Sequence, residues 1–222
     1  MEKINKKKNE FLENSTSDDS GVSYYDEISK LNNELVNITR ELTKKNIALE
    51  KASKKINQLL RTDHLTGIAN RMYFMEYFTK AHAGAVRHGF PLTLAMVDLD
   101  DFKAINDSYG HQVGDEVLIA VSQLLQSGCR KEDLAARFGG EEFTVLLVHT
   151  NVEQGKQQIE RVRSNLENLV IDKIGRLVTA SFGLSSLTDD ESIDKMISQA
   201  DKALYQAKEE GKNRVIIYGE GM

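Results

Sequence analysis

From Ile28 onward, apolar side chains recur at alternating steps of three and four: Ile28, Leu31, Leu35, Ile38, Leu42, Lys45, Leu49, Ala52, Ile56 and Leu59. Nine of these ten positions are apolar, and the run contains neither Gly nor Pro. A stripe repeating every ~3.5 residues, on a helix otherwise faced by Lys, Asn, Glu and Thr, predicts a coiled coil over residues 25–62. A single amphipathic helix lying on its own domain is the plainer alternative, but it would carry a broader apolar face. Lys45 falls on a d position and weakens the seam there. The e and g positions lack clean opposite-charge pairs, so charge does not set strand direction. Ahead of the stripe, residues 1–24 are polar, with Glu13-Asn-Ser-Thr-Ser-Asp-Asp-Ser-Gly21, and read as a loose leader ending in an anchor at Tyr24 and Tyr25.

After Arg61 the heptads stop and the pattern becomes an alternation of helices and strands. A helix is predicted over 70–88. Pro91 then introduces the apolar strand Leu92–Val97, and a helix follows over 112–127. Two short strands, 133–138 and 143–149, flank Gly139-Gly140. A helix over 152–170, a strand over Leu177–Leu187, a helix over 190–210 and a strand over Arg214–Tyr218 complete the series. Such alternation, with one tight hairpin inside it, predicts an α/β (α+β) domain over 63–222: a mixed central sheet flanked by helices. A domain of about 155 residues buries roughly two-thirds of its unfolded surface.

Composition narrows the classes. Hydrophobic residues make up 40% and charged residues 28% of 222, which excludes a wholly disordered or collagen-like chain. No apolar run reaches the ~18–20 residues of a membrane helix. The basic start Met1-Glu-Lys-Ile-Asn-Lys-Lys-Lys8 is not followed by the apolar stretch of a secretory signal. A formal charge of −5 argues against general nucleic-acid binding, while a local basic pocket for one nucleotide remains compatible with it. Cys129 is the only cysteine, so intrachain disulfides and thiolate zinc sites are excluded and a reducing, cytoplasmic setting fits best. The five histidines contain no i, i+4 pair that would suggest a histidine metal cluster.

Three acidic features carry the chemistry. Val97-Asp-Leu-Asp-Asp101 ends an apolar strand in carboxylates, where α/β sheets place their sites and where hard oxygen ligands suit magnesium; a solvated loop with helix-capping acids is the bland alternative. Phe138-Gly-Gly-Glu-Glu-Phe143 joins two apolar runs. The glycines are expected to supply positive φ angles for a tight hairpin. Adjacent glutamates at its tip repel each other unless a cation or substrate uses them, and in extended chain they point to opposite sides and do different jobs. Asn106 and Asp115 surround Tyr109-Gly-His-Gln-Val-Gly114. An amide and a carboxylate facing one pocket can read guanine, although either alone is an ordinary loop or cap residue.

Together these features resemble the GGDEF-domain family, the diguanylate cyclases, across residues 63–218. Asp63-His-Leu-Thr-Gly-Ile-Ala-Asn-Arg71 is similar to the motif that opens the family's domain. Asp98-Leu-Asp-Asp-Phe-Lys-Ala-Ile-Asn-Asp-Ser-Tyr-Gly-His-Gln-Val-Gly-Asp115 resembles its nucleotide-binding segment, and Gly139-Gly-Glu-Glu-Phe143 its signature loop in the Glu-Glu form. Ala200-Asp-Lys-Ala-Leu-Tyr-Gln-Ala-Lys208, running on through Gly211-Lys-Asn-Arg214, resembles its C-terminal helix and turn. The resemblance implies a fold similar to nucleotidyl cyclases and the polymerase palm, and the condensation of two GTP into cyclic di-GMP and two pyrophosphates. It implies Mg²⁺ (two ions per site, with Mn²⁺ able to substitute) held by Asp98, Glu141 and the Leu99 carbonyl, with Glu142 a second metal or substrate contact. It makes Glu141 the candidate general base and Lys103 a stabiliser of phosphate charge, with Phe102 beside it among the substrate contacts. Lys208 and Lys212 would hold the terminal phosphate, Asn106 and Asp115 would select guanine, and His111 would contact the nucleotide.

The same resemblance makes Arg130-Lys-Glu-Asp133, five residues before the Gly-Gly pair, an inhibitory product site. There Arg130 would grip guanine's O6 and N7 edge, Asp133 would accept from N1 and N2, and Arg161 would be a partner contact. Because one domain holds one GTP and the product needs two, two domains must face each other. The heptad helix is placed to supply that homodimer, and its register would set activity. A pure cyclic di-GMP receptor and an inert scaffold on a coiled coil are the rival readings.

Overall fold

The computed structural model describes residues 20–169, 171, 174, 175, 177–188 and 191–219. The greater part of the expected leader, residues 1–19, lies outside them. Two compact units divide the chain after Ile56.

The described residues of the first unit are helical. Helix α1 (Ser20–Arg61) begins ahead of the expected start at 25, so Tyr24 and Tyr25 are helical. Its 42 residues would run about 63 Å at the usual rise. Tyr24, Ile28, Leu31, Leu35, Ile38, Leu42, Leu49 and Ile56 are all exposed, so the predicted stripe is uncovered within one chain.

The second unit contains β1 (Ala69–Asn70), α2 (Arg71–His88), β2 (Leu92–Leu99), α3 (Phe102–Tyr109), α4 (His111–Ser127), β3 (Leu134–Arg137), β4 (Glu142–Val148), α5 (Val152–Glu167), β5 (Ala180–Ser186), α6 (Ile193–Glu209) and β6 (Val215–Ile217). The sheet order is β1-β3-β4-β2-β5-β6. β2 pairs antiparallel with both β4 and β5, while β1–β3 and β5–β6 are parallel. The mixed sheet expected from the alternation is therefore present. The eight residues of β2 are buried on both faces, as a continuous apolar strand at the centre of a helix-covered sheet should be. Its odd-numbered side chains Ala95, Val97 and Leu99 join Val117, Val121, Ile159 and Val162 of α4 and α5. Its even-numbered Leu92, Leu94 and Met96 join Phe74, Phe78, Met196 and Leu204 of α2 and α6. This is the period-2 alternation of a strand feeding two cores.

Two elements were not expected. α3 occupies the stretch after the acidic strand end, and β1 adds a short edge beside β3. The glycine reasoning for the hairpin also needs correction: neither Gly139 nor Gly140 adopts a left-handed φ. At Gly139 a side chain would meet the carboxylate end of the exposed Glu142 side chain, which would have to swing aside.

One close approach sets the site's far wall. A Cβ on Gly183 of β5 would meet the Ala200 carbonyl and the Leu204 backbone of α6. The missing side chain lets α6 lie directly on the sheet, with its C-terminal end beside the end of β2.

Candidate active site

The carboxyl end of β2 gathers three acids with three different environments. Asp98 is 9% exposed, lies in register opposite Glu142, and forms an ion pair of 2.8 Å from Oδ1 to Lys208 Nζ on α6. Asp100 is 3% exposed; Thr179 Oγ1 (2.8 Å), Ser181 Oγ (2.7 Å) and the Asn213 backbone N–H (3.0 Å) all donate to it. Asp101 has a left-handed φ of 55° at the head of α3 and pairs at 2.6 Å with Lys212 Nζ. The acidic strand end therefore grips the segment 208–213, which carries both lysines expected at the terminal phosphate.

Glu141 approaches from the hairpin tip. Its carboxyl is partly buried, and burial, followed by the nearby charge of Asp98, pushes its pKa up; Lys208 opposes this and Glu142 adds to it. Glu141 and Asp98 thus share one electrostatic neighbourhood. Glu142 is exposed and folds back over Gly139, so the two adjacent glutamates do stand in different surroundings, as their alternation predicts. Among the described residues no group of three His, Cys, Asp or Glu side chains is arranged to hold a metal ion. The chemistry of the donor set nevertheless fits a hard divalent cation. The Asp98 charge raises the cost of ionising Glu141 beside the Leu99 backbone, and the Lys208 ammonium on Asp98 is a cation standing where a metal's charge would go.

The expected nucleotide contacts sit on one helical corner. Gly110, at φ 84°, breaks the chain between α3 and α4, and its N–H donates to the Asn106 carbonyl at 2.8 Å. A Cβ on Gly114 would strike the Asn106 side-chain oxygen, so this glycine lets the amide lie flat against α4. His111 and Asp115 are exposed on the first turns of α4, and Lys103 is exposed on the first turn of α3. Phe102 differs from the rest: at 6% exposed, its ring belongs to the core, which leaves its backbone as what it can offer a ligand.

The second expected site is a surface cleft of about 660 Å³. Arg130, Gln158, Glu160 and Arg161 line it, so the structure does bring Arg130 and Arg161 together. Asp133 is 7% exposed, and its carboxylate accepts from the Arg130 N–H (2.9 Å), the Val148 N–H (3.1 Å) and Gln158 Nε2 (3.1 Å). Those bonds tie the 130–133 turn to β4 and α5.

Residues 60–214 match the family described as diguanylate cyclase, GGDEF domain. The chain belongs to the GGDEF-domain family. It is 37% identical over 193 residues to the diguanylate cyclase VdcA of Vibrio cholerae, covering 84% of this chain and 54% of that protein. The chain thus spans about half of that relative's length. The crystal structure of the coiled coil and GGDEF domain of DgcB from Caulobacter crescentus, in complex with c-di-GMP, matches with a TM-score of 0.77 at 29% identity, over 84% of this chain and 98% of that one. The active GGEEF domain of a diguanylate cyclase from Vibrio cholerae matches with a TM-score of 0.66 at 36% identity, over 68% of this chain and 97% of that one.

Within this GGDEF domain, sequence reasoning passed over one residue of the signature loop's own support. Arg137 donates through Nε (3.0 Å) and Nη2 (2.8 Å) to the Gly140 carbonyl, and through Nη1 (3.0 Å) to Asp63 Oδ1. Asp63 also takes the Thr66 N–H and hydroxyl. Burial raises the Asp63 pKa, but the hydrogen bonds of Thr66 and Arg137 outweigh it and hold the carboxyl below its ordinary value. Arg137 lies two residues before the Gly-Gly pair; a cation that close to two glutamates was the signal available in the sequence.

Proposed function

We propose that this GGDEF domain is a diguanylate cyclase, joining two GTP into cyclic di-GMP with release of two pyrophosphates. The observation that carries the reading is the convergence of Asp98 from a strand end and Glu141 from the signature loop in one charge environment, next to Lys208. Asp98, Glu141 and the Leu99 carbonyl would hold the divalent ion, Mg²⁺ or Mn²⁺, with Glu142 a further contact. That ion would neutralise triphosphate charge and make the 3′-hydroxyl more acidic.

The remaining work falls to side chains. Asn106 and Asp115 would select guanine, with His111 near the nucleotide, while Lys103, Lys208 and Lys212 would take phosphate charge. Each 3′-oxygen bonds the other nucleotide's α-phosphorus, its proton passes to Glu141, and the bond to pyrophosphate breaks; the same exchange closes the ring. The two GTP come from two copies of the chain, paired through the uncovered stripe of α1, and Lys45 would leave two registers close in energy. Arg130 and Arg161 would hold cyclic di-GMP as an inhibitor, with Asp133 fixing the turn.

The test is incubation of the purified chain with GTP and Mg²⁺, followed by chromatography, with and without added cyclic di-GMP. Cyclic di-GMP and two equivalents of pyrophosphate from the wild-type chain, inhibited by product and relieved in Arg130→Ala, support the reading. Tight product binding without turnover would make the chain a receptor instead.

A further inference from the structure

We propose that Asp100 is a positioning residue for Lys212, acting through the backbone of the turn that carries it. The proposal rests on the cyclase reading only in giving Lys212 a phosphate to hold.

The turn is conformationally costly. Gly211, Lys212 and Asn213 have successive φ values of 113°, 64° and 44°, so two side-chain-bearing residues sit in the left-handed region that L-residues avoid. Such conformations persist only where the surroundings over-determine them, and they concentrate where a side chain must be aimed. Here the surroundings are specific. Asn213 N–H donates to Asp100, and the Asn213 side-chain oxygen accepts from Arg163 Nη1 at 2.9 Å. Arg163 is itself held by Glu160 at 2.7 Å and Glu167 at 3.2 Å on α5. Arg214 Nε donates to the Lys212 carbonyl, and Lys212 N–H to the Ala207 carbonyl.

Asp100 is the buried end of this clamp. Its carboxylate is kept out of water by three neutral donors, an expensive arrangement for a charge. Thr179 and Ser181 belong to the sheet side, and Asn213 belongs to the turn, so Asp100 joins one to the other. Its neighbour Asp101 meets the Lys212 ammonium directly. The strand end therefore holds Lys212 twice, by the head group and by the backbone behind it. A triphosphate that draws the ammonium from Asp101 leaves the backbone tether in place, so the lysine swings from a fixed base.

A purely structural Asp100 would change only stability. A positioning Asp100 changes phosphate affinity, and does so only while Lys212 is present. The experiment compares wild type, Asp100→Ala, Asp100→Asn, Arg163→Met and Lys212→Met, singly and combined with Lys212→Met, in the full chain. The readouts are calorimetric binding of inorganic triphosphate with Mg²⁺, KM and kcat for GTP, and hydrogen exchange at the Asn213 amide. Asp100→Ala is expected to weaken triphosphate and raise KM about tenfold with kcat within about threefold. Asp100→Asn, whose oxygen can still accept from Asn213, restores affinity to within about threefold, and in the Lys212→Met background Asp100→Ala costs less than about twofold more. Exchange at Asn213 accelerates in Asp100→Ala. If that variant does not fold, Arg163→Met carries the same test from the other side of the turn. Unchanged triphosphate affinity, or losses that multiply with those of Lys212→Met, overturn the proposal. A wild-type chain that shows this coupling yet makes no cyclic dinucleotide keeps the proposal and removes the cyclase reading.

Discussion

Glu141 is where the site's electrostatics are most exposed to test. Its carboxyl is raised by burial and by Asp98, so the folded chain keeps this proton at pH values where the unfolded chain has lost it. Stability from this group is present at low pH and falls as pH rises from the ordinary glutamate range to Glu141's raised value. Glu141→Gln is expected to remove that fall in a pH series of thermal denaturation, and to lower cyclic di-GMP formation by on the order of 10²–10⁴-fold while the fold is kept. Asp63 has the opposite sign. Its lowered pKa contributes stability above the ordinary aspartate range, lost as pH falls through the lowered value. Arg137→Ala, which removes one of its donors, should flatten that acid limb and shift the denaturation midpoint at pH 3–4 less than at pH 7. The residues proposed to meet a ligand were legible because their types and spacing repeat a known pattern: Asp98, Lys103, Asn106, Asp115, Glu141 and Lys208 lie in three of the four ordered motifs. Residues that meet only protein were not. Asp133, expected as a guanine acceptor, also accepts from the Val148 N–H and the Gln158 amide, because a one-dimensional spacing does not say which protein groups the fold will bring to a carboxylate.

At the scale of elements, the central strand and the long helices followed directly from periodicity, since eight buried residues in a row or a sustained heptad leave few alternatives. α3 did not, because eight residues between an acidic cluster and Gly110 carry too few turns to show a period. β1, of two residues, exists only because β3 pairs with it. The Gly-Gly hairpin illustrates a different failure: the expected left-handed backbone is absent, and a side chain at Gly139 would meet only the movable end of Glu142. Gly183 is the converse case, where packing alone forbids a side chain. Gly183→Ala should push α6 off β5 and cost about 3 kcal/mol or more, read as a lower denaturant midpoint. In α1, Lys45 interrupts an otherwise apolar seam. Lys45→Leu is expected to tighten self-association at least about tenfold by sedimentation equilibrium, in keeping with burial of one more leucine per chain. Turnover should change with it, because one register is then favoured over the other; unaltered turnover would count against a register switch.

For the molecule as a whole, the proposed chemistry needs two copies, and the exposed stripe of α1 is the surface that offers them a seam. Turnover per chain should therefore rise with protein concentration and then level off as the dimer fills, whereas a one-chain reaction would give a constant value. The deepest claim is simpler: Asp98 and Glu141 bind one divalent ion, and Lys208 holds its place until that ion arrives. A crystal structure of the full chain with Mn²⁺ and a non-cleavable GTP analogue, with the ion located by its anomalous scattering, tests this most directly. The account predicts Mn²⁺ bonded to both carboxylates and the Leu99 carbonyl, with Lys208 moved from Asp98 to phosphate. Manganese bound elsewhere, with the 2.8 Å pair between Lys208 and Asp98 intact beside a bound nucleotide, would contradict it.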